Sequence, residues 1–427
     1  MMLNGGARLE DFRLRGAAAE LAGVVVAQRD SSGLVTSAAA GCAQFAADGR
    51  CRATIGPNTL LRVASISKFA TTLAVMRLVE RGQLDLDRDV SDYLGYPLRN
   101  PGFPAQGITL RQLLSHSSTL IDGEVYWAPH PQTLRQLLAS NTHFDTTQMP
   151  GSCYRYTNLN FGVIGGVLER VSGQRFDRLM QREVFAPLHI EAGFNWSGLT
   201  DVPPGRVGGI WRRPQPNGPW QAALDDFGGG PARVEVRFLR NPAAPAPTDG
   251  DSVLQAPPVN YDNGSNGTLF SPQGGMRISV LGLLALGAQL LPASASQLPA
   301  SASQLPTSAS GGIPRLLSDA SIVSMIGAAS PPELLPDCDH GQQPASRRYG
   351  LGIELLQFVA GEPIWAGHFG EAYGLRSMIV GDREHGTLRA YIINGSAQPL
   401  PDAAPPYVEM NEAEAALLKS WPLSQSR

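Results

Sequence analysis

Lysine is nearly missing from this chain. There are two among its 427 residues, in a Lys plus Arg total of 34. Cationic positions are therefore almost all arginine, and no basic run or patch stands out. With a formal net charge of −3, the electrostatic footprint of a nucleic-acid binder is lacking. Cysteine is scarce as well. Cys42, Cys51, Cys153 and Cys338 show no CxxC or zinc spacing, and the seven histidines include no H-E-x-x-H pair, so neither a metal nor a cofactor is expected. No apolar run reaches the length of a membrane span. The first residues lack the basic and apolar regions of a signal peptide, which predicts a cytoplasmic protein with free thiols, or a periplasmic one if the start site lies elsewhere. In an exported protein Cys42 and Cys51 are close enough in sequence to join a small loop.

Against this scarcity Lys68 is conspicuous, because it follows Ser65 by three residues in Ser65-Ile-Ser-Lys68. A lysine retained in an arginine-biased chain is one needed as a lysine: burial can strip its proton and make it a base, whereas arginine stays charged. A serine hydroxyl becomes a useful nucleophile only when such a base takes its proton. On a helix, positions i and i+3 share a face, so the two groups would meet. The residues that follow, Phe69 to Arg81, carry Leu73, Val75, Met76, Leu78 and Val79 before Gly82. They predict a buried helix, with Ser65 at its N-terminus where developing negative charge is favoured. The plain alternative is that Ser65 or Ser67 merely caps this helix.

Ala22–Gln28 and Leu34–Ala40 flank the turn Asp30-Ser-Ser-Gly33 and read as a β-hairpin. A short helix is expected within Leu84–Leu94, further helices at Leu110–Ser115, Leu134–Ser140, Phe161–Ser172 and Phe176–Phe185, and a longer apolar one at Met276–Leu291. Residues 291–312 then repeat a Pro-Ala-Ser-Ala-Ser-Gln-Leu unit. With one large apolar residue per period, it is read as an expanded surface loop with no catalytic part. A helix near Leu316–Ile326, strands at Leu351–Phe358, Leu375–Val380 and Thr387–Ile393, and a helix at Asn411–Ser420 complete the chain. The fold class is therefore α+β, an antiparallel sheet flanked by helices and built from both chain ends. Residues 1–95 and 268–427 form the α/β part, and 96–267 a mainly helical insertion with long loops.

Two further segments carry chemistry. Tyr156 and Asn158 lie just before the helix that includes Phe161; the phenol can move a proton and the amide can bond both an ammonium and a carbonyl. Tyr261 and Asn263 repeat the spacing in a Gly/Asn-rich loop with no following helix and rank lower. The third segment is Gly367-His368-Phe-Gly370-Glu371, placed just before the strand from Leu375, where glycines allow a close backbone approach.

Taken in order, Ser-x-x-Lys, Tyr-x-Asn and His-x-Gly resemble the motifs of the serine β-lactamase/penicillin-binding-protein superfamily, specifically its class C-like esterases, D-aminopeptidases and DD-peptidases. Leu61–Lys68, Ile108–Ser117, Pro150–Arg170, Phe185-Ala-Pro-Leu188 and Gly274-Gly275 share in the resemblance. Two departures occur: Ser117-Ser-Thr-Leu120 stands where the family usually has Ser/Thr-Gly-Leu, and His-Phe-Gly where it has Lys-Thr-Gly. The resemblance implies a β-lactamase/transpeptidase-like fold and hydrolysis through an acyl-enzyme on Ser65. Lys68 and Tyr156 would share the proton work, and Asn158 would position Lys68 and the substrate. His368 would offer a donor or partial charge to the substrate or Tyr156, and Gly370 would allow the third motif to approach. The backbone N–H groups of Ser65 and Glu371 would form the oxyanion hole. The implied partner is a small ester, amide or lactam, bordered by Tyr126, Trp127, Trp211 and Trp220. Small esters or amides come first. The alternatives are a β-lactamase or DD-peptidase/D-aminopeptidase, a penicillin-binding protein that acylates and stalls, and a catalytically silent scaffold. Neither a nucleic acid nor a membrane span enters, and the oligomeric state is open.

Overall fold

A computed structural model describes residues 21–199, 201–215, 218–239, 252–295, 314–327, 335–338, 347–357, 364–397, 410, 413–415 and 417. In chain order the first strands are β1 (Gly23–Arg29), β2 (Val35–Phe45), β3 (Cys51–Thr54) and β4 (Leu61–Arg62). Helices α1 (Ile66–Glu80), α2 (Val90–Leu94), α3 (Leu110–Leu114), α4 (Leu134–Leu138), α5 (Leu159–Ser172) and α6 (Phe176–Met180) follow. Five short strands come next: β5 (Ala192–Phe194), β6 (Ile210–Arg213), β7 (Gln221–Leu224), β8 (Val236–Leu239) and β9 (Ser252–Gln255). Strand β10 (Met276–Ile278) leads into α7 (Val280–Gly287), and α8 (Asp319–Gly327) follows. The last strands are β11 (Arg347–Tyr349), β12 (Glu354–Leu356), β13 (Trp365–Ala372), β14 (Leu375–Asp382), β15 (Thr387–Ile393) and β16 (Gly395–Ala397).

The main sheet has eight strands in the order β11-β12-β13-β14-β15-β1-β2-β3. Its seam is the antiparallel pairing of β1 with β15, Val24 opposite Ile393 and Ala27 opposite Ala390, so the first and last strands close on one another. The apolar run Gly-Val-Val-Val-Ala in β1 does not alternate because both faces are covered. Val25 and Ala27 enter the large core with α1 and α7, whereas Val24 and Val26 join Trp365, Met378, Tyr391 and Ile393 on the opposite face. Helix α1 packs on β13 and β14, and α5 on α1. That places the start of α1 against the edge of β13. Helices α3 and α4 share the sequence Leu-Arg-Gln-Leu-Leu, each fixed by a threonine capping box, Thr109 with Gln112 and Thr133 with Gln136.

Several expectations change. Met276–Leu291 is not one helix: Ser279 accepts a hydrogen bond from the Gly282 N–H at 3.1 Å and caps α7, and Met276–Ile278 pairs instead with β4 and β5. The His-Phe-Gly segment lies inside β13 rather than before a strand. Among the described residues the stretch between α6 and β10 holds five strands, in pairings such as β8 with β9 and β6 with β7. Of the expected C-terminal helix only 413–415 and 417 are described, and most of the Pro-Ala-Ser repeat, from 296 to 313, lies outside the described residues. The cysteines are not free thiols. Cys42 is joined to Cys51, and Cys153 to Cys338 with a Cα–Cα distance of 5.2 Å. The second bond links segments 185 residues apart, so sequence proximity gave no sign of it. Among the described residues no helix is long and apolar enough to cross a membrane.

Candidate active site

The turn from β4 into α1 sets the nucleophile. Ala64 adopts φ 45°, in the left-handed region that non-glycine residues rarely enter, and turns the chain so that Ser65 begins α1. Ser65 makes no side-chain capping bond. Among the described residues its backbone N–H has no acceptor either. Ser67, the other candidate cap, is a structural tie: its hydroxyl donates to Ala64 O at 2.6 Å and accepts from Met276 N at 3.0 Å.

Lys68, one helical turn on, is fully buried. Its Nζ lies 3.0 Å from Ser65 Oγ, 2.8 Å from Asn158 Oδ1 and 3.2 Å from Gln273 O. The Tyr156 ring lies beneath it, with Nζ 4.6 Å from the centroid. Burial pushes the ammonium down to about 7, opposed in part by the charges of Asp122 and Glu354. Near neutral pH a large share of Lys68 is therefore an uncharged amine within reach of the serine hydroxyl.

Asn158 is held from behind. Its Nδ2 donates to Asp122 Oδ2 at 2.8 Å, while Asp122 Oδ1 accepts from the Leu159 N–H at 2.9 Å. The carboxylate fixes which way the amide faces, oxygen toward Lys68, and meets the positive end of α5. No sequence signal marks Asp122. It is a single loop aspartate 36 residues from Asn158, and no spacing rule ties the two together.

Tyr156 stands on His116, ring centroids 4.4 Å apart and nearly parallel. His116 Nδ1 accepts from the Thr157 N–H at 3.0 Å, which requires that nitrogen to be unprotonated. Burial, followed by the charges of Lys68 and His368, holds this imidazole well below its ordinary pKa. His116 is thus a neutral base plate for Tyr156. Tyr261 serves another purpose. Its hydroxyl lies 2.7 Å from Glu169 Oε2 and 2.8 Å from Asn266 O, bracing the end of α5.

The third motif forms the facing wall. The pairing of β12 with β13 ends at Gly367, which opens the edge of β13 toward the start of α1. At Gly370 a Cβ would collide with Val63 O and Ser377 Oγ, so only glycine lets the strand lie this close to the residues before Ser65. Glu371, the next residue, lines the same cavity as Ser65, Tyr156 and Asn158, whose volume is about 320 Å³. His368 does not line it. It is fully buried behind the wall, with Nε2 2.9 Å from Tyr349 Oη and Nδ1 3.4 Å from Glu354 Oε1. The side chain therefore braces the wall and offers no donor to a substrate. The cavity rim beyond β13 carries Glu371 and Glu414, both facing Arg376, at 2.8 and 3.8 Å.

A second cavity of about 450 Å³ adjoins the first and shares Arg62, Tyr126 and Gln273 with it. Tyr126 and Trp127 do form its wall. Trp211 and Trp220 do not. Trp211 is buried, donating Nε1 to Ala43 O at 3.0 Å, and Trp220 stacks on Phe45. Among the described residues no group of three or more His, Cys, Asp or Glu side chains is gathered to hold a metal.

The family model described as Beta-lactamase matches residues 11–411. Penicillin-binding protein 4* of Bacillus subtilis (strain 168) is 30% identical over 145 residues, 32% of this chain and 30% of that protein, so the match spans less than a third of the relative's length. The D-amino acid amidase from Ochrobactrum anthropi SV3, solved with L-phenylalanine, superposes with a TM-score of 0.60 at 16% identity, over 94% of this chain and 93% of that one. EstCE1, described as a hydrolase with promiscuous acyltransferase activity, gives 0.57 at 21% identity over 88% and 89%. At these identities the two solved structures establish a common fold.

Proposed function

We propose that this chain, which belongs to the beta-lactamase family, is a serine hydrolase that cleaves small esters or amides through an acyl-enzyme on Ser65. The observation that carries the reading is the buried Lys68 Nζ, held near neutrality 3.0 Å from Ser65 Oγ. Neutral Lys68 takes the hydroxyl proton as Oγ forms a bond to the substrate carbonyl carbon. The bond from that carbon to the leaving oxygen or nitrogen then breaks, and the leaving group departs with a proton passed through Lys68 and the Tyr156 phenol. Water attacks the acyl-serine with the same groups as base, releasing the acid and restoring Ser65. Asn158, set by Asp122, holds Lys68 and reaches the substrate carbonyl. Two backbone donors, the Ser65 N–H and the Glu371 N–H, would stabilise the oxyanion. Gly370 brings that strand close, and His368 acts through the wall that it braces.

The charges of the site rank its substrates. A β-lactam carboxylate needs a cation at the third motif, but Arg376, the cation beside that segment, is already engaged by Glu371 and Glu414, and Arg62 lies on the β4 side of the cavity. His368 is out of contact. Turnover of p-nitrophenyl butyrate is therefore expected to exceed that of a chromogenic cephalosporin by a wide margin in kcat/KM. Efficient cephalosporin turnover would restore the β-lactamase reading, and a burst of acylation with no turnover would favour a penicillin-binding protein. The two disulfides further support residence in an oxidising compartment rather than the cytoplasm. We also read residues 96–267 as an insertion into the α/β part formed by the two chain ends.

A further inference from the structure

Among the described residues Arg62 forms no ion pair with a carboxylate. It ends β4, and in the ladder with β10 it stands directly opposite Arg277, a like-charge pair of the kind that weakens a sheet. Arg277 is fully met. Its Nε and Nη2 hold Asp225 at 3.1 and 2.7 Å, and its Nη1 donates to Asn195 Oδ1 and Gly275 O, both at 2.8 Å. Asp225 also accepts from Trp196 Nε1 at 2.9 Å and forms its ion pair with Arg277, not with Arg62. Arg62 has far less. Its Nε donates to Gly274 O at 2.7 Å and its guanidinium lies 5.3 Å from the Tyr373 ring centroid. Among the described residues neither Nη finds a protein acceptor and no carboxylate lies within ion-pair reach. A half-buried guanidinium left without an anion is costly unless something else supplies the charge.

Its position says what that something is. Arg62 is shared by the cavity that holds Ser65 and by the larger one beside it. The larger cavity is walled by Tyr126, Trp127, Phe227 and Leu254, which suit the body of an aliphatic chain. Of its other charges, Arg277 is met by Asp225 at 2.7 Å and Arg233 by Glu235 at 3.5 Å, Asp226 lies 4.0 Å from Arg52, and the Arg237 guanidinium lies over the Trp127 ring, 4.5 Å from its centroid. Arg62 is thus the one arginine common to the two cavities, beside an apolar wall and three residues from the nucleophile.

We infer that the acyl arm of the substrate enters this second cavity and ends in a carboxylate bound by the Arg62 guanidinium. The substrate class is then half-esters or half-amides of short dicarboxylic acids. The inference rests on the reading of Ser65 as the acylated nucleophile. It is compatible with poor β-lactam turnover, since the carboxylate is taken on the Arg62 side and not at the rim beyond β13.

The test compares monoethyl succinate, glutarate and adipate with ethyl butyrate, valerate and hexanoate by pH-stat at low ionic strength. One half-ester should exceed its neutral counterpart by roughly tenfold or more in kcat/KM, as a charge-assisted contact requires. That ratio should fall as salt is raised and collapse toward one in Arg62→Gln. Because Arg62 also supports Gly274, a measurement on the unaltered protein stands beside the variant: the matching free dicarboxylate should inhibit competitively and the monocarboxylate of equal length should not. Neutral esters turned over as well as every half-ester, or no inhibition by any dicarboxylate, would overturn the inference while leaving ester hydrolysis intact. An Arg62→Gln protein that loses both classes equally, with the ratio preserved, would overturn it too and make Arg62 a support for the Gly274 turn. If no ester acylates Ser65 at all, the parent reading falls and this one with it.

Discussion

Lys68 is a fully buried ammonium whose proton affinity is reduced by desolvation. The consequence has a definite sign. With Lys68 lowered to about 7, the neutral amine grows as pH rises, so kcat/KM should climb about tenfold per pH unit on the acid side and level off above neutrality. Stability moves the same way. The unfolded chain holds this proton at pH values where the folded one has released it, so stability should rise with pH from about 7 toward the ordinary lysine value. Lys68→Arg should lose on the order of 10³-fold in kcat/KM, because arginine preserves the charge but cannot give up its proton. Substantial activity in that variant would make Lys68 an electrostatic support. Ser65, Lys68, Tyr156 and Asn158 were legible from local spacing, and the structure brings these four together. Asp122, the Gln273 carbonyl and the His116 base plate were not, since each meets the site only through tertiary packing.

Among the elements, α1 and the first hairpin were readable because their apolar patterns and turn residues agree with burial. Strand β13 was not. Gly367, His368 and Gly370 have low or neutral strand preference, and they sit in a strand because β14 templates them across seven paired positions, Ala366 to Ala372. Thr119 shows the same override. It takes φ 68° where the family usually has glycine, held there by the Asn100 amide donating to its hydroxyl at 2.8 Å. The Cys153–Cys338 bond joins the strip before Tyr156 to residues 335–338, alongside Tyr154 N to Pro336 O and Cys338 N to Tyr154 O at 2.8 and 2.9 Å. Cys153→Ser with Cys338→Ser should cost about 3–5 kcal/mol by the loop-closure argument. It should lower Tm in a thermal melt and reduce kcat/KM by loosening Tyr156. An unchanged Tm would show that the main-chain bonds suffice.

At the scale of the whole molecule, a sheet closed by its first and last strands was foreseeable from strand patterns at both chain ends. The cleft walls were harder to read. Trp211 and Trp220 look like cleft aromatics in a loop-rich stretch, yet pairing of β6 with β16 buries Trp211 against Cys42 and Phe45. Sequence position places a residue near a cleft, but strand pairing decides which side of the wall it faces. The same assembly sorts charge across the site: Glu371, Glu414 and Glu354 lie on the β13 side, and Arg62 on the β4 side. Neither the polarity nor its direction can be extracted from a net charge of −3.

The central claim, that Ser65 is the nucleophile activated by Lys68, is tested most directly by labelling the folded protein with a fluorophosphonate and mapping the adduct by peptide mass spectrometry. One adduct is expected, on Ser65, absent from Ser65→Ala and formed faster at pH 8 than at pH 6. An adduct on another serine, or none on the folded protein, would contradict it.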